Sequence, residues 1–147
     1  MEGFAKMSKN KIQKLYVYID GGSRGNPGNS AIAFMIYDEE GNVISKKSKG
    51  IGRATNNSAE YKALIFAMEE AVNYSQGEIF CFSDSKLLVN QLEGKFKVKR
   101  KHLKELFLEI KNKEKMYKRV AYSKLPRANP KIAGVDKLVN EELDKLE

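Results

Sequence analysis

From Leu15 the chain alternates apolar and aromatic side chains up to a single carboxylate, Leu15-Tyr-Val-Tyr-Ile-Asp20, and then runs into Gly21-Gly-Ser-Arg-Gly-Asn-Pro-Gly28. A period of two marks a half-buried strand. The sequence therefore predicts a first strand that Asp20 closes, with its carboxylate held at the rim of a sheet. The glycines that follow let backbone amides approach a ligand with no side chain in the way. Two further acids sit in comparable company, Glu60 in Ala54-Thr-Asn-Asn-Ser-Ala-Glu60-Tyr61 and Asp84 in Phe82-Ser-Asp84-Ser85. Together with Asp20 they predict a carboxylate cluster that holds divalent metal.

The rest of the chain supplies a scaffold for such a cluster. Ala31 to Tyr37 and Val43 to Lys49 read as strands joined across Asp38-Glu-Glu-Gly-Asn42, a Gly-Asn turn that favours an antiparallel hairpin. A helix follows, capped by Asn56, Asn57 or Ser58, with Tyr61, Leu64, Ile65, Met68, Ala71 and Val72 on one stripe. Glu60 is expected in its first turn. Glu78 to Ser83 reads as a central strand covered on both faces, and Ser85 to Glu93 as a short helix stopped by Gly94. A helix with Leu103, Leu106, Phe107 and Ile110 on one face comes next, then a strand over Arg119 to Ser123. Leu125 to Gly134, with Pro126 and Pro130, reads as a loop, and Val135, Leu138, Val139, Leu143 and Leu146 stripe a closing helix. The order predicts an α/β fold: a mixed five-stranded sheet, three strands in an antiparallel meander and two parallel, flanked by helices.

Charge narrows the partners. The 27 Lys and Arg outweigh 19 Asp and Glu, leaving +8 on 147 residues, a surface that attracts polyanions. Six of those cations fall within ten residues, Lys95, Lys97, Lys99, Arg100, Lys101 and Lys104, interleaved with Phe96 and Val98. The one cysteine, Cys81, lies in an apolar run and suits a buried, inert thiol in a reducing cytoplasm. No segment is apolar and long enough to cross a membrane. Residues 1–14 are expected to form a flexible basic tail, and residues 15–147 one catalytic domain. With a single histidine, His102, set among lysines, neither a zinc site nor a Ser-His-Asp mechanism is indicated.

Four segments in order resemble a type 1 ribonuclease H in its compact prokaryotic form, without a hybrid-binding domain. They are Asp20-Gly-Gly-Ser-Arg-Gly-Asn-Pro-Gly28, Ala54-Thr-Asn-Asn-Ser-Ala-Glu60-Tyr-Lys-Ala-Leu64, Ser83-Asp-Ser-Lys-Leu-Leu-Val-Asn90 and Asp136-Lys-Leu-Val-Asn140. The resemblance implies a ribonuclease H-like fold and a monomeric, cytoplasmic endonuclease. It would hydrolyse the RNA strand of RNA–DNA hybrids with two Mg2+ ions (Mn2+ substituting), leaving 5′-phosphate and 3′-hydroxyl ends. The chemistry agrees: two metals can serve both ends of an in-line displacement at phosphorus, and magnesium prefers oxygen ligands. By the same resemblance Asp20, Glu60, Asp84 and Asp136 are the catalytic metal ligands, with Asp20 bridging both ions and Asp136 at the start of the closing helix. Gly22, Ser23, Arg24, Asn26 and Asn56 would read the minor groove, Thr55 and Asn57 would grip a DNA phosphate, and Lys95, Lys97, Lys99, Arg100 and Lys101 would form a short substrate-binding handle. A catalytically silent hybrid-binding module is the alternative, and the presence of all four acids argues against it. The loop Ser123 to Asp136 departs from the family pattern in lacking a histidine, leaving Lys124, Arg127 and Lys131 as sources of positive charge.

Overall fold

The computed structural model describes residues 12–146. One sheet has the strand order β3-β2-β1-β4-β5. Its strands are β1 (Lys14–Arg24), β2 (Gly28–Tyr37), β3 (Val43–Ala54), β4 (Glu78–Ser83) and β5 (Arg119–Lys124). β1, β2 and β3 form the antiparallel meander, and β4 and β5 add on in parallel, as the sequence predicts. Four helices are described: α1 (Asn56–Ala71), α2 (Lys86–Leu92), α3 (Lys101–Glu114) and α4 (Pro130–Asp144). The tail expected over residues 1–14 lies mostly outside the described residues. Within them, Gln13 accepts a 2.8 Å bond from the Glu78 amide and Lys14 already belongs to β1, so the sheet starts just before the domain boundary read at residue 15.

Strand alternation sorts the core into two layers. Leu15, Val17 and Ile19 of β1 bury against α1 in the larger cluster, together with Phe34, Tyr61, Leu64, Met68 and Ile110. Tyr18 of β1, with Ala31, Ala33 and Tyr37 of β2, buries on the other face against Ile132, Val135, Val139 and Leu143 of α4. Each fully buried aliphatic or aromatic side chain contributes about 1.5–3 kcal/mol. α4 lies over the meander, so β4 is fully covered on one face and only partly on the other. Ile79, Cys81 and Ser83 are buried while Glu78, Phe80 and Phe82 are half-buried, which corrects the expectation of a strand covered on both sides.

Three boundaries differ from the sequence reading, each for a tertiary reason. β1 does not end at Asp20. It runs on through the glycines to Arg24 because the ladder with β2 continues, Asp20 opposite Ala33 and Arg24 opposite Asn29. The turn is confined to Gly25-Asn-Pro27, and Gly28 must lack a side chain, since a Cβ there would stand 2.1 Å from the Arg24 carbonyl oxygen. α1 is capped by Thr55, whose hydroxyl accepts from the Ser58 amide at 3.2 Å, so Glu60 opens the second turn and not the first. α4 begins at Pro130, inside the span read as loop and ahead of Asp136. Asn129 caps it by accepting from the Lys131 and Ile132 amides at 3.0 and 3.2 Å, and proline is well suited to the first helical position. Thr55→Ala is expected to lower unfolding free energy by about 1 kcal/mol, as for loss of an N-cap. Urea denaturation checks this.

Candidate active site

Parallel register brings the first two carboxylates side by side. β1 and β4 pair as far as Tyr18 with Phe82, and Asp20 and Asp84 each lie two residues beyond that last pair. The third acid depends on a close approach. A Cβ on Gly21 would stand 2.4 Å from the Ala59 carbonyl oxygen and 2.9 Å from the Glu60 nitrogen, so only glycine lets the start of α1 rest on β1 and deliver Glu60 to the same rim. Asp136 arrives from the second turn of α4, where the Asn140 side-chain amide donates to its carboxylate at 3.2 Å. All four acids line one cavity of about 370 Å³, with Gly21, Gly22, Ser23, Arg24, Asn56, Asn57, Arg127 and Asn140 among its other walls.

The charges report how close these groups are. Asp20 is 9% exposed. Its carboxyl is pushed up to about 8, first by burial, then by repulsion from Asp84, a hydrogen bond with Asp136 and the charges of Asp136 and Glu60. Glu60 is pushed up to about 7 by burial and by Asp84, against a hydrogen bond from Ser85 that lowers it. Arg127 supplies the nearest counter-charge, its Nε 3.6 Å from Asp84 Oδ2, on a side chain 86% exposed.

The donor set is oxygen only. Among the described residues no three His, Cys, Asp or Glu side chains are positioned to hold a metal ion as they stand. Four carboxylates lining one cavity suit a hard divalent ion that keeps several waters, as magnesium does, and whose positive charge offsets their mutual repulsion. The donor set thus fits such an ion in its chemistry, though its carboxylates are not preset around one.

The predicted substrate contacts divide. Gly22, Ser23, Arg24, Asn56 and Asn57 line the acidic cavity. Asn26 and Thr55 do not line it. Asn26 accepts from the Asn56 amide at 3.0 Å, Asn56 in turn accepts from the Ser23 amide at 2.8 Å, and Thr55 caps α1. These two hold the cavity's walls in place. Arg24 is bound to the closing helix, 2.7 Å from Asp144 Oδ1 and 3.4 Å from both the backbone and the side-chain oxygen of Asn140. Lys95, Lys97, Lys99, Arg100 and Lys101 sit apart, exposed on the segment between α2 and the first residues of α3. Of the three positive charges expected from the loop before Asp136, Arg127 lines the cavity and Lys124 and Lys131 do not. Gly21 and Asn140 are additions to the expected contacts, and only Asn140 has a readable signal, standing one helical turn after Asp136 and so on the same face.

Residues 18–141 match the family described as Reverse transcriptase-like. Over 132 residues the chain is 36% identical to a bifunctional protein of Mycobacterium tuberculosis, a match covering 89% of this chain and 36% of that protein. It thus spans little more than a third of the length of such mycobacterial relatives. It is 34% identical to ribonuclease HI of Halobacterium salinarum over 89% of this chain and 65% of that one. A crystal structure of ribonuclease H1 from that organism matches with a TM-score of 0.86 at 33% identity, over 90% of this chain and 98% of that one. LC11-RNase H1, isolated from compost and crystallised with an RNA/DNA hybrid, matches with a TM-score of 0.84 at 39% identity, over 90% and 98%.

Proposed function

This chain belongs to the ribonuclease H family, and on that premise we propose that it hydrolyses the RNA strand of RNA–DNA hybrids, as an endonuclease dependent on divalent metal. The observation that carries the reading is the convergence of Asp20, Glu60, Asp84 and Asp136, from four separate elements, on one cavity. The match to a ribonuclease H1 crystallised with hybrid supports the substrate.

Asp20, Glu60, Asp84 and Asp136 would hold the metal. Two bound Mg2+ ions (or Mn2+) would supply Lewis-acid chemistry at both ends of the displacement, lowering the pKa of the attacking water and taking up charge on the leaving oxygen. The chain's own groups do the rest. The Asn140 side chain fixes the Asp136 carboxylate, and the Ser85 hydrogen bond fixes Glu60. Gly22, Ser23, Asn56 and Asn57 offer backbone and short polar groups, which can meet a 2′-hydroxyl whatever the base. Water attacks phosphorus, the bond from phosphorus to the 3′ oxygen breaks, and the ends are a 5′-phosphate and a 3′-hydroxyl.

Incubation with end-labelled RNA–DNA hybrid, double-stranded RNA and double-stranded DNA, with Mg2+, Mn2+ or chelator, tests this. Cleavage of the hybrid's RNA strand with metal and none with chelator is the expected result. Binding of hybrid without cleavage under every metal condition would leave a silent module in place of an enzyme.

A further inference from the structure

Past Asp84, α2 and the edge strand β5 enclose a second groove of about 540 Å³. Its walls carry Lys86 and Asn90 of α2, Lys95 just beyond that helix, and Ser123 and Lys124 of β5. Glu93 is the one carboxylate in these walls, and it pairs with Lys95 at 3.3 Å. Lys86 and Lys124 have no salt-bridge partner among the described residues. Like charges facing one groove repel each other, and a polyanion laid between them removes that cost. The groove also neighbours the acidic cavity. Lys86 follows Asp84 by two residues, and Lys124 pairs in register with Ser83, the residue before Asp84.

We propose that this groove binds the phosphodiester backbone of the RNA strand beyond the cut, extending the footprint of the acidic cavity. The strand whose scissile phosphate lies at Asp84 is the one that continues past it, which favours RNA over DNA here. The proposal rests on the ribonuclease H reading.

Fluorescence anisotropy of the full chain with labelled hybrid, in chelator to prevent cleavage, tests it across a salt series. Lys86→Gln/Lys124→Gln is compared with Lys46→Gln/Lys118→Gln, an equal loss of charge at two exposed positions outside the groove. The groove variant should bind about 10-fold more weakly, with a log K against log salt slope flatter by about 1.5, as for two lost phosphate contacts. The control pair should change affinity far less. Trimming the RNA strand towards the cut from the side that fills the groove should erase the difference between wild type and groove variant, whereas trimming the DNA strand should not. A groove variant indistinguishable from the control pair, or a difference that follows the DNA strand, overturns the proposal. A wild-type chain that binds no hybrid overturns the nuclease reading instead.

Discussion

Asp20→Asn is expected to reduce hybrid cleavage by about 10³-fold or more, the scale seen when one member of a catalytic unit is removed, and to raise the stability of the metal-free protein at the same time. The two effects have one cause. Asp20 is buried among three other carboxylates, and its ionised form is disfavoured up to about pH 8. An unfolded chain releases that proton near pH 4. Between these values the folded state holds a proton the unfolded state has lost, so metal-free stability falls as pH rises from about 4 to about 8. The repulsion is shared among four coupled groups, so the loss over that window should be about 2–3 kcal/mol and not the whole of a single-site shift. Asparagine keeps the shape without the charge. Urea denaturation of wild type and variant at pH 5 and pH 8, with chelator, should show curves that converge at the lower pH and separate at the higher one. A variant less stable than wild type at pH 8 would contradict the electrostatic account.

Gly21→Ala should disrupt both the fold and the site. The added Cβ meets backbone, not a flexible side chain, at 2.4 Å from the Ala59 oxygen and 2.5 Å from its carbon. α1 would have to shift away from β1, at a cost of about 3 kcal/mol or more. The shift would carry Glu60 with it, so activity should fall by about 10² or more even where the protein remains folded, since small misplacements are costly in a positioned site. Gly22→Ala is the matched comparison. Its Cβ meets only Val139 Cγ1 at 3.6 Å, an ordinary contact, so folding should be nearly unchanged. Chemical denaturation of the pair, followed by cleavage assays at saturating metal, separates the two effects.

Local patterns were legible in the sequence, and partnerships between distant segments were not. Glu78–Ser83 could be read to the residue, because a short apolar run between turn signals carries its own bounds. The stripe of α1 was equally plain. The glycine run after Asp20 reads as a turn by propensity, yet it is strand, because β2 lies alongside to complete its ladder. Pro130 and Gly134 both argue against helix, and the cap at Asn129 overrides them. Asp20, Glu60 and Asp84 could be picked out by the company each keeps and Asp136 by the family resemblance, but their convergence depends on the register of β1 with β4 and on the absence of a side chain at Gly21. Asn26 shows the limit most clearly. The resemblance implied a substrate contact, and no sequence pattern announced that its side-chain oxygen also holds the Asn56 amide and so the wall beside Ser23.

Calorimetric titration of wild type and Asp20→Asn with Mg2+ at pH 7, repeated in buffers of different ionisation enthalpy, addresses the metal cluster itself. Wild type should take up the ion saturably and release more than one proton, most of it from Asp20 and part from Glu60, while Asp20→Asn should bind far more weakly and release fewer. Equal Mg2+ affinity and equal proton release in the two proteins would show that the four carboxylates do not form the metal site.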